Sequence, residues 1–319
     1  MRYTITDSIQ FQENDGEMKQ ITRNIFTEDQ FSVPPALRGC NPSYVTTSDG
    51  IVVVDGPMHP IDSIRWRNEF LAKCWEVKYI INTHHHVDHI TGNAFLPGAI
   101  ISHQGVFDMF DPNIPAALAV AADRVEEIEN TEYPLAAYTK LLLGEREEIN
   151  YTLLEGYKPR RPTITFNDEL TLYSGEHSFK CYHMPGHTPS HIGVYCPEEK
   201  VFFAGDNFTT KTQASLAHCL PLEWVESLKK VEAMDINLVV PGHGEVCEKS
   251  IIPEFRHFIE TCIEMVQDAL KKGMSKEETA DDLNFENLYP GGGGAEAVHP
   301  GAKMQRRNVL RLYEVLSNS

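Results

Sequence analysis

The chain has 319 residues, 41% of them hydrophobic, and a formal net charge of −18 at pH 7. That length and apolar fraction suffice for one large α/β unit with a substantial core, and the acidic balance argues against nucleic acid as a partner. No apolar run approaches the ~18 residues of a membrane span, the first residues lack the apolar segment of a signal peptide, and seven cysteines without paired spacing fit reduced thiols in a cytoplasmic setting.

Residues 1–17 are polar and read as a loose arm, and Met18 to Phe26 reads as a first strand. Ser43 to Thr47 and Ile51 to Asp55 flank Ser48-Asp49-Gly50, a hairpin with an Asp-Gly turn that ends at Asp55-Gly56-Pro57. Ile61 to Cys74 spaces its apolar residues as an amphipathic helix. Val77 to Asn82 is short, β-branched and aromatic, and reads as a buried strand. It leads into Thr83-His84-His85-His86-Val87-Asp88-His89, where four histidines and one aspartate fall within six residues. Neutral imidazole with carboxylate suits zinc, and also iron or manganese. On a strand, successive side chains alternate faces. His84 and His86 are therefore expected to converge on one metal while His85 points away.

Thr91-Gly92-Asn93 begins a short helix, and Ala99 to His103 is the next strand. Residues 106–158 read as a helical insertion, with helices over Pro115 to Ile128 and Pro134 to Leu154; a lid, a pocket wall or a homodimer face all fit it. Strands return at Thr163 to Phe166, Glu169 to Tyr173 and His177 to Met184, followed by Gly186-His187-Thr188. His191 to Cys196 and Lys200 to Ala204 form a hairpin, after which comes Asp206. Leu222 to Met234 is helical, and Asn237 to Val240 runs into Pro241-Gly242-His243-Gly244. Pro253 to Lys272, Lys276 to Leu283 and Gln305 to Leu316 are helices, separated before the last by the Gly-rich loop Tyr289 to Gly294. His187, Asp206 and His243 each close an apolar run and are flanked by Gly or Pro, as expected of a ligand on a tight turn at a strand end.

His84-x-His86-x-Asp88-His89, followed by His187, Asp206 and His243, resembles the metallo-β-lactamase superfamily, over roughly residues 18–250. The resemblance implies an αββα sandwich with a two-metal site along one edge, here one domain over 1–319 with the helical insertion and a C-terminal helical extension from about residue 250. It implies that His84, His86 and His187 hold one metal, that Asp88, His89 and His243 hold the other, and that Asp206 bridges them. Asp88, His89 and Asp206 then take the catalytic roles, and Asp55 supports the ligands from behind, although a turn-forming Asp before Gly-Pro explains Asp55 equally well. Aspartate at 206 is the glyoxalase II-like and lactonase-like choice; zinc β-lactamases of the cysteine-containing type place Cys near that point. Diiron flavoproteins place Glu where this chain has His86. In the family the loop after Asp206 borders the substrate, so Asn207 and His218 are expected to hydrogen-bond a substrate carbonyl or oxyanion. His191 reads as structural, and Lys303, Arg306, Arg307 and Arg311 as surface charge without a glutathione-reading pattern.

The expected activity is hydrolysis of a small-molecule ester, lactone, thioester or amide by a metal-bridging hydroxide, with phosphate and sulfate esters also open to such a site, and with two divalent ions per chain, zinc first and manganese or iron as alternatives. No Gly-x-Ser-x-Gly elbow offers a serine route. Two other readings stay open: a metal-bearing sensor with vestigial turnover, and a mononuclear-iron dioxygenase of the persulfide type.

Overall fold

In the computed structural model of the chain, residues 18–28, 39–58, 60–110, 159–210, 214–285, 288 and 302–318 are described. The expected helices of the insertion, the polar arm and the Gly-rich loop lie outside them.

One sheet holds seven strands in chain order: β1 (Met18–Gln20), β2 (Ile25–Glu28), β3 (Ser43–Thr47), β4 (Gly50–Val54), β5 (Val77–Ile81), β6 (Ala99–His103) and β7 (Ile164–Phe166). The stretch expected as a single first strand is thus two, broken by the turn at Thr22-Arg23-Asn24. Strands β1 to β4 pair antiparallel and β4 to β7 parallel, because helix α1 (Pro60–Ala72) makes a crossover between β4 and β5. The second sheet runs β8 (Glu169–Ser174), β9 (His177–His183), β10 (Ile192–Cys196), β11 (Val201–Thr209), β12 (Leu238–His243) and β13 (Cys247–Glu248). All its pairs are antiparallel except β11 with β12, which helix α4 (Pro221–Ala233) connects.

Strand periodicity sorts the apolar side chains into three layers. Val45, Val52, Val54, Ile81 and Ile101 of the first sheet meet Phe179, Ile192, Val194, Phe203 and Val240 of the second. Their neighbours Tyr44, Val53, Ile80 and Ile100 turn outward onto Trp66 and Phe70 of α1. Phe202 and Val239 turn outward onto α4, α5 (Ile252–Lys271), α6 (Lys276–Asp282) and α7 (Ala302–Ser317). Sheets covered on both faces need continuous apolar runs, which Ile51-Val52-Val53-Val54 and Val201-Phe202-Phe203-Ala204 supply. The architecture is the expected αββα sandwich, with helices added after residue 250. All seven cysteines are free, and Cys219 is buried in the outer helical layer, where burial pushes its thiol up to about 12.

Candidate metal centre

The site lies where the sheets' strand ends meet. β5 stops at Ile81, and Asn82 anchors the following loop: its N–H donates to Ile101 O at 3.0 Å and its Nδ2 to His89 O at 3.1 Å. Helix α2 (Val87–Ile90) then carries Asp88 and His89, and the short α3 (Gln104–Asp108) follows β6. His187 sits in the turn after β9. Asp206 and His243 do not follow their strands but belong to them: β11 runs on past Gly205 to Thr209, and β12 ends on His243, with register shifts at Gly205. Gly205 has φ +49, and a Cβ there would lie 2.6 Å from Thr83 Oγ1. Glycine therefore makes the irregularity that aims Asp206 inward.

The seven side chains form two groups. One nitrogen or oxygen from each of His84, His86, His187 and Asp206 lies within 4.8 Å of the others, as do those of Asp88, His89 and His243. His187 Nε2 is 3.0 Å from His86 Nδ1 and 3.3 Å from Asp206 Oδ2, and His84 Nε2 is 3.9 Å from Asp206 Oδ2. In the second group His243 Nε2 is 3.2 Å from Asp88 Oδ2, and His89 Nε2 is 3.5 Å from it. Asp206 Oδ1 faces this group, 3.1 Å from His89 Nε2 and 3.3 Å from His243 Nε2. Donors about 2.0–2.2 Å from a tetrahedral ion stand roughly 3.4 Å apart, so the spacings suit a metal in each group. His84 Nε2, His89 Nε2 and Asp206 Oδ1 are buried without a hydrogen-bond partner among the described residues, which metal ligation would relieve. A Cβ on Gly242 would collide with Asp206 Oδ1, so only glycine leaves that oxygen its place. The residues present fit divalent metal ions.

Outward partners fix which nitrogen faces in. Asp55 accepts from His89 Nδ1 at 2.8 Å and from Thr83 N and Oγ1 at 2.8 and 2.7 Å. Thr83 Oγ1 in turn lies 3.1 Å from His84 Nδ1. His187 Nδ1 reaches Ser215 O at 2.9 Å, and His243 Nδ1 reaches Gly39 O at 3.0 Å. Asp55 itself holds φ 50, a conformation unusual for a non-glycine residue. Its threefold hydrogen bonding keeps it there.

The two groups differ in charge. Burial, then the neighbouring His89 and His86, hold His84 well below the usual imidazole range; burial does the same for His86 and lowers His187. Burial opposes charge on His243, but Asp206 and Asp88 outweigh it and push that imidazole up to about 10. Burial likewise opposes charge on His89, yet Cys40, Asp88, Asp55 and Asp206 raise it well above its usual value. Cys40, pushed up to about 12 by burial, is neutral near pH 7, so the three carboxylates are the cause. Asp88 falls to about 2 and Asp206 lies well below the carboxylate range, because histidine charge overcomes burial. The carboxylates of the second group thus favour positive charge between them.

His85 stands outside the group that His84 and His86 share; residues 83–85 bend, and His85 lies half-buried with its ring 4.8 Å from that of His86. Asn207, expected to hydrogen-bond a substrate, has both ends of its amide engaged. Its Oδ1 accepts from His187 N at 2.8 Å and its Nδ2 donates to Met184 O at 2.6 Å, so it positions a ligand. His218 is exposed beside the site, its Nδ1 3.0 Å from His86 Nε2. His191 stacks on His84, with centroids 5.1 Å apart. Thr83, Ser215 and Asn41 escaped sequence reading. Asn41 Nδ2 donates to Pro241 O and Gly244 O and so clamps the turn that bears His243. No motif marks these three, because their partners are backbone atoms or distant side chains.

A family model described as the metallo-beta-lactamase superfamily matches residues 36–243. The chain belongs to that superfamily. Among curated superfamily relatives it is 24% identical over 258 residues to a linear primary-alkylsulfatase of Pseudomonas sp., covering 75% of this chain and 48% of that one. It is 22% identical over 233 residues to a probable metallo-hydrolase of Bacillus subtilis, covering 63% and 66%, and 25% identical over 198 residues to a hydroxyacylglutathione hydrolase of Bartonella henselae, covering 62% and 59%. The chain therefore spans about half to two-thirds of the length of these relatives. The solved sec-alkylsulfatase Pisa1 from Pseudomonas sp. shares the fold with TM-score 0.64 and 12% identity, over 94% of this chain and 50% of that one. A metallo-beta-lactamase from Pontibacter korlensis does so with TM-score 0.54 and 16% identity, over 77% and 99%.

Proposed function

We propose that the protein is a dinuclear metal-dependent hydrolase of a small-molecule ester, lactone, thioester or amide, or of a sulfate ester, a class that the similarity to an alkylsulfatase supports. The observation that carries this reading is Asp206, whose two oxygens face different ligand groups: Oδ2 is 3.3 Å from His187 Nε2, and Oδ1 is 3.1 Å from His89 Nε2. His84, His86 and His187 would hold one ion and Asp88, His89 and His243 the other, with Asp206 available to both. Zinc suits this imidazole-rich set best, with manganese or iron also accommodated.

Divalent ions held by these residues would supply Lewis acidity, for activating water and polarising a substrate oxygen. The chain's own part is orientation and charge. Asp55, Thr83, Asn207 and the carbonyls of Ser215 and Gly39 hold the ligands. Asp88 and Asp206 stay ionised and accept rather than donate protons. Cys40 is no nucleophile, since burial pushes its thiol up to about 12. His218, exposed beside His86, faces arriving substrate. The complete Asp88, His89 and His243 group argues against the mononuclear-iron alternative. The C-terminal helices are read as part of the same unit, because Asn308 of α7 accepts from Leu216 N at 2.9 Å in the loop beside His187.

The test is elemental analysis of the purified protein with a panel of alkyl sulfates, carboxylic esters, lactones, glutathione thioesters and β-lactams. Two metals per chain and turnover of one ester class are expected. One metal at saturation, with Asp88 and His243 replaceable without loss, would overturn the dinuclear reading.

A further inference from the structure

His86 departs from the other ligand histidines. His84, His89, His187 and His243 each turn Nδ1 to an oxygen and Nε2 inward. His86 turns Nδ1 inward, 3.0 Å from His187 Nε2, and sends Nε2 outward to another imidazole, His218 Nδ1, also at 3.0 Å. His85 completes a triad: one nitrogen from each of His85, His86 and His218 lies within 4.8 Å of the others. Among the described residues His85 has no carboxylate or carbonyl hydrogen bond that would hold its ring; its Nδ1 is 3.5 Å from Ser190 Oγ, beyond a strong hydrogen bond. His218 is exposed and the other two half-buried, so the triad opens to solvent and leaves a position for water.

From these positions we propose a third, outer site for a zinc-class divalent cation on His85, His86 and His218, whose filling suppresses hydrolysis. The proposal rests on the dinuclear reading only for its effect on activity. Three imidazoles with an open position form a recognised zinc ligand set. The absence of carboxylate from the triad favours borderline cations such as Zn²⁺ over Mg²⁺ or Mn²⁺. The 3.0 Å between His86 Nε2 and His218 Nδ1 is close to the roughly 3.3 Å edge of a tetrahedron with Zn–N bonds of about 2.0–2.1 Å. An ion there coordinates Nε2 of His86, whose proton passes to solvent. One imidazole then serves an inner and an outer cation. Inhibition follows on two counts. The shared ring divides its electron density between two cations, and the outer ion stands on the side where solvent reaches His86, the less buried edge of the first ligand group.

The test uses the full chain loaded with two metals, dialysed against rising free zinc and, separately, rising magnesium. Metal per chain is counted at each step, and turnover is followed on the ester that the panel identifies. Wild type is expected to rise from two zinc ions to three, with turnover falling about tenfold or more in step. Magnesium should produce neither change. His85→Ala should stop at two, keep near-wild-type turnover and resist excess zinc, and His218→Ala should also stop at two. A count that stays at two in wild type, or reaches three in both variants, overturns the site and leaves His218 as a hydrogen-bond partner of His86. A third zinc that spares turnover overturns the inhibitory role. Failure of the dinuclear reading shows differently, as a starting count below two, while the increment between wild type and His85→Ala still decides the outer site.

Discussion

Asp55 Oδ2 lies 2.8 Å from His89 Nδ1, while the same carboxylate takes the N–H and hydroxyl of Thr83, whose Oγ1 lies 3.1 Å from His84 Nδ1. One buried side chain at the end of β4 thus sets ring orientation in both ligand groups. Asp55→Asn keeps its size but loses a carboxylate acceptor. Metal affinity or kcat/KM should fall by roughly 10–100-fold, with far-UV circular dichroism unchanged. Unaltered metal binding and turnover would show that Asp55 serves only the turn.

Gly242→Ala places a methyl group against Asp206 Oδ1 and 2.8 Å from Asp206 N. The Gly205–Asp206 peptide unit, backbone of β11, blocks easy relaxation. Overpacking of this kind costs about 1–3 kcal/mol, and Asp206 should lose its position between the two groups. Elemental analysis should find fewer than two metals, with activity below about a hundredth of wild type.

Removing the metals with a chelator should abolish hydrolysis, and zinc or manganese should restore it. It should also destabilise the fold. An ion present at a hundred times its Kd contributes about 2.7 kcal/mol. Thermal melts with and without chelator measure this directly, and identical midpoints would mean that the ligand groups bind no ion tightly.

Asn308→Ala frees Leu216 N, which Asn308 Oδ1 holds at 2.9 Å across 92 positions of sequence. Leaving a buried donor unpaired costs about 1–3 kcal/mol. Because Ser215 O orients His187, the variant should also weaken metal binding in the first group. Asn308→Asp keeps the acceptor and should recover both properties; if it does not, α7 acts on the site by some other contact.

Phe70 packs on Tyr44 and Trp66, with centroids 5.0 and 5.8 Å away, on the far face of the first sheet. Phe70→Ala should cost about 3–5 kcal/mol in urea unfolding. Metal content should stay at its wild-type value, which separates core stability from the site.

Much of this molecule was legible in the chain alone. Hydrophobic alternation depends only on local spacing, so the strands from Ser43 to Val240 and the helices after residue 250 could be placed within a few residues. The residue types that meet in the candidate metal groups were legible too: the His-rich run 84–89 stands out by composition, and His187, Asp206 and His243 each lie beside Gly at the close of an apolar run. What the tertiary structure decided were rotamers and distances between segments far apart in sequence. Gly205 and Gly242 let β11 and β12 continue through their ligands, which a turn signal alone reads as a strand end. The inward turn of Asn207, the bend that brings His85 beside His86, and the reach of His86 Nε2 to His218 depend on packing around those side chains. A hydrogen bond such as the one from Leu216 N to Asn308 Oδ1 leaves no local trace, because its partners meet only when α7 docks on the second sheet.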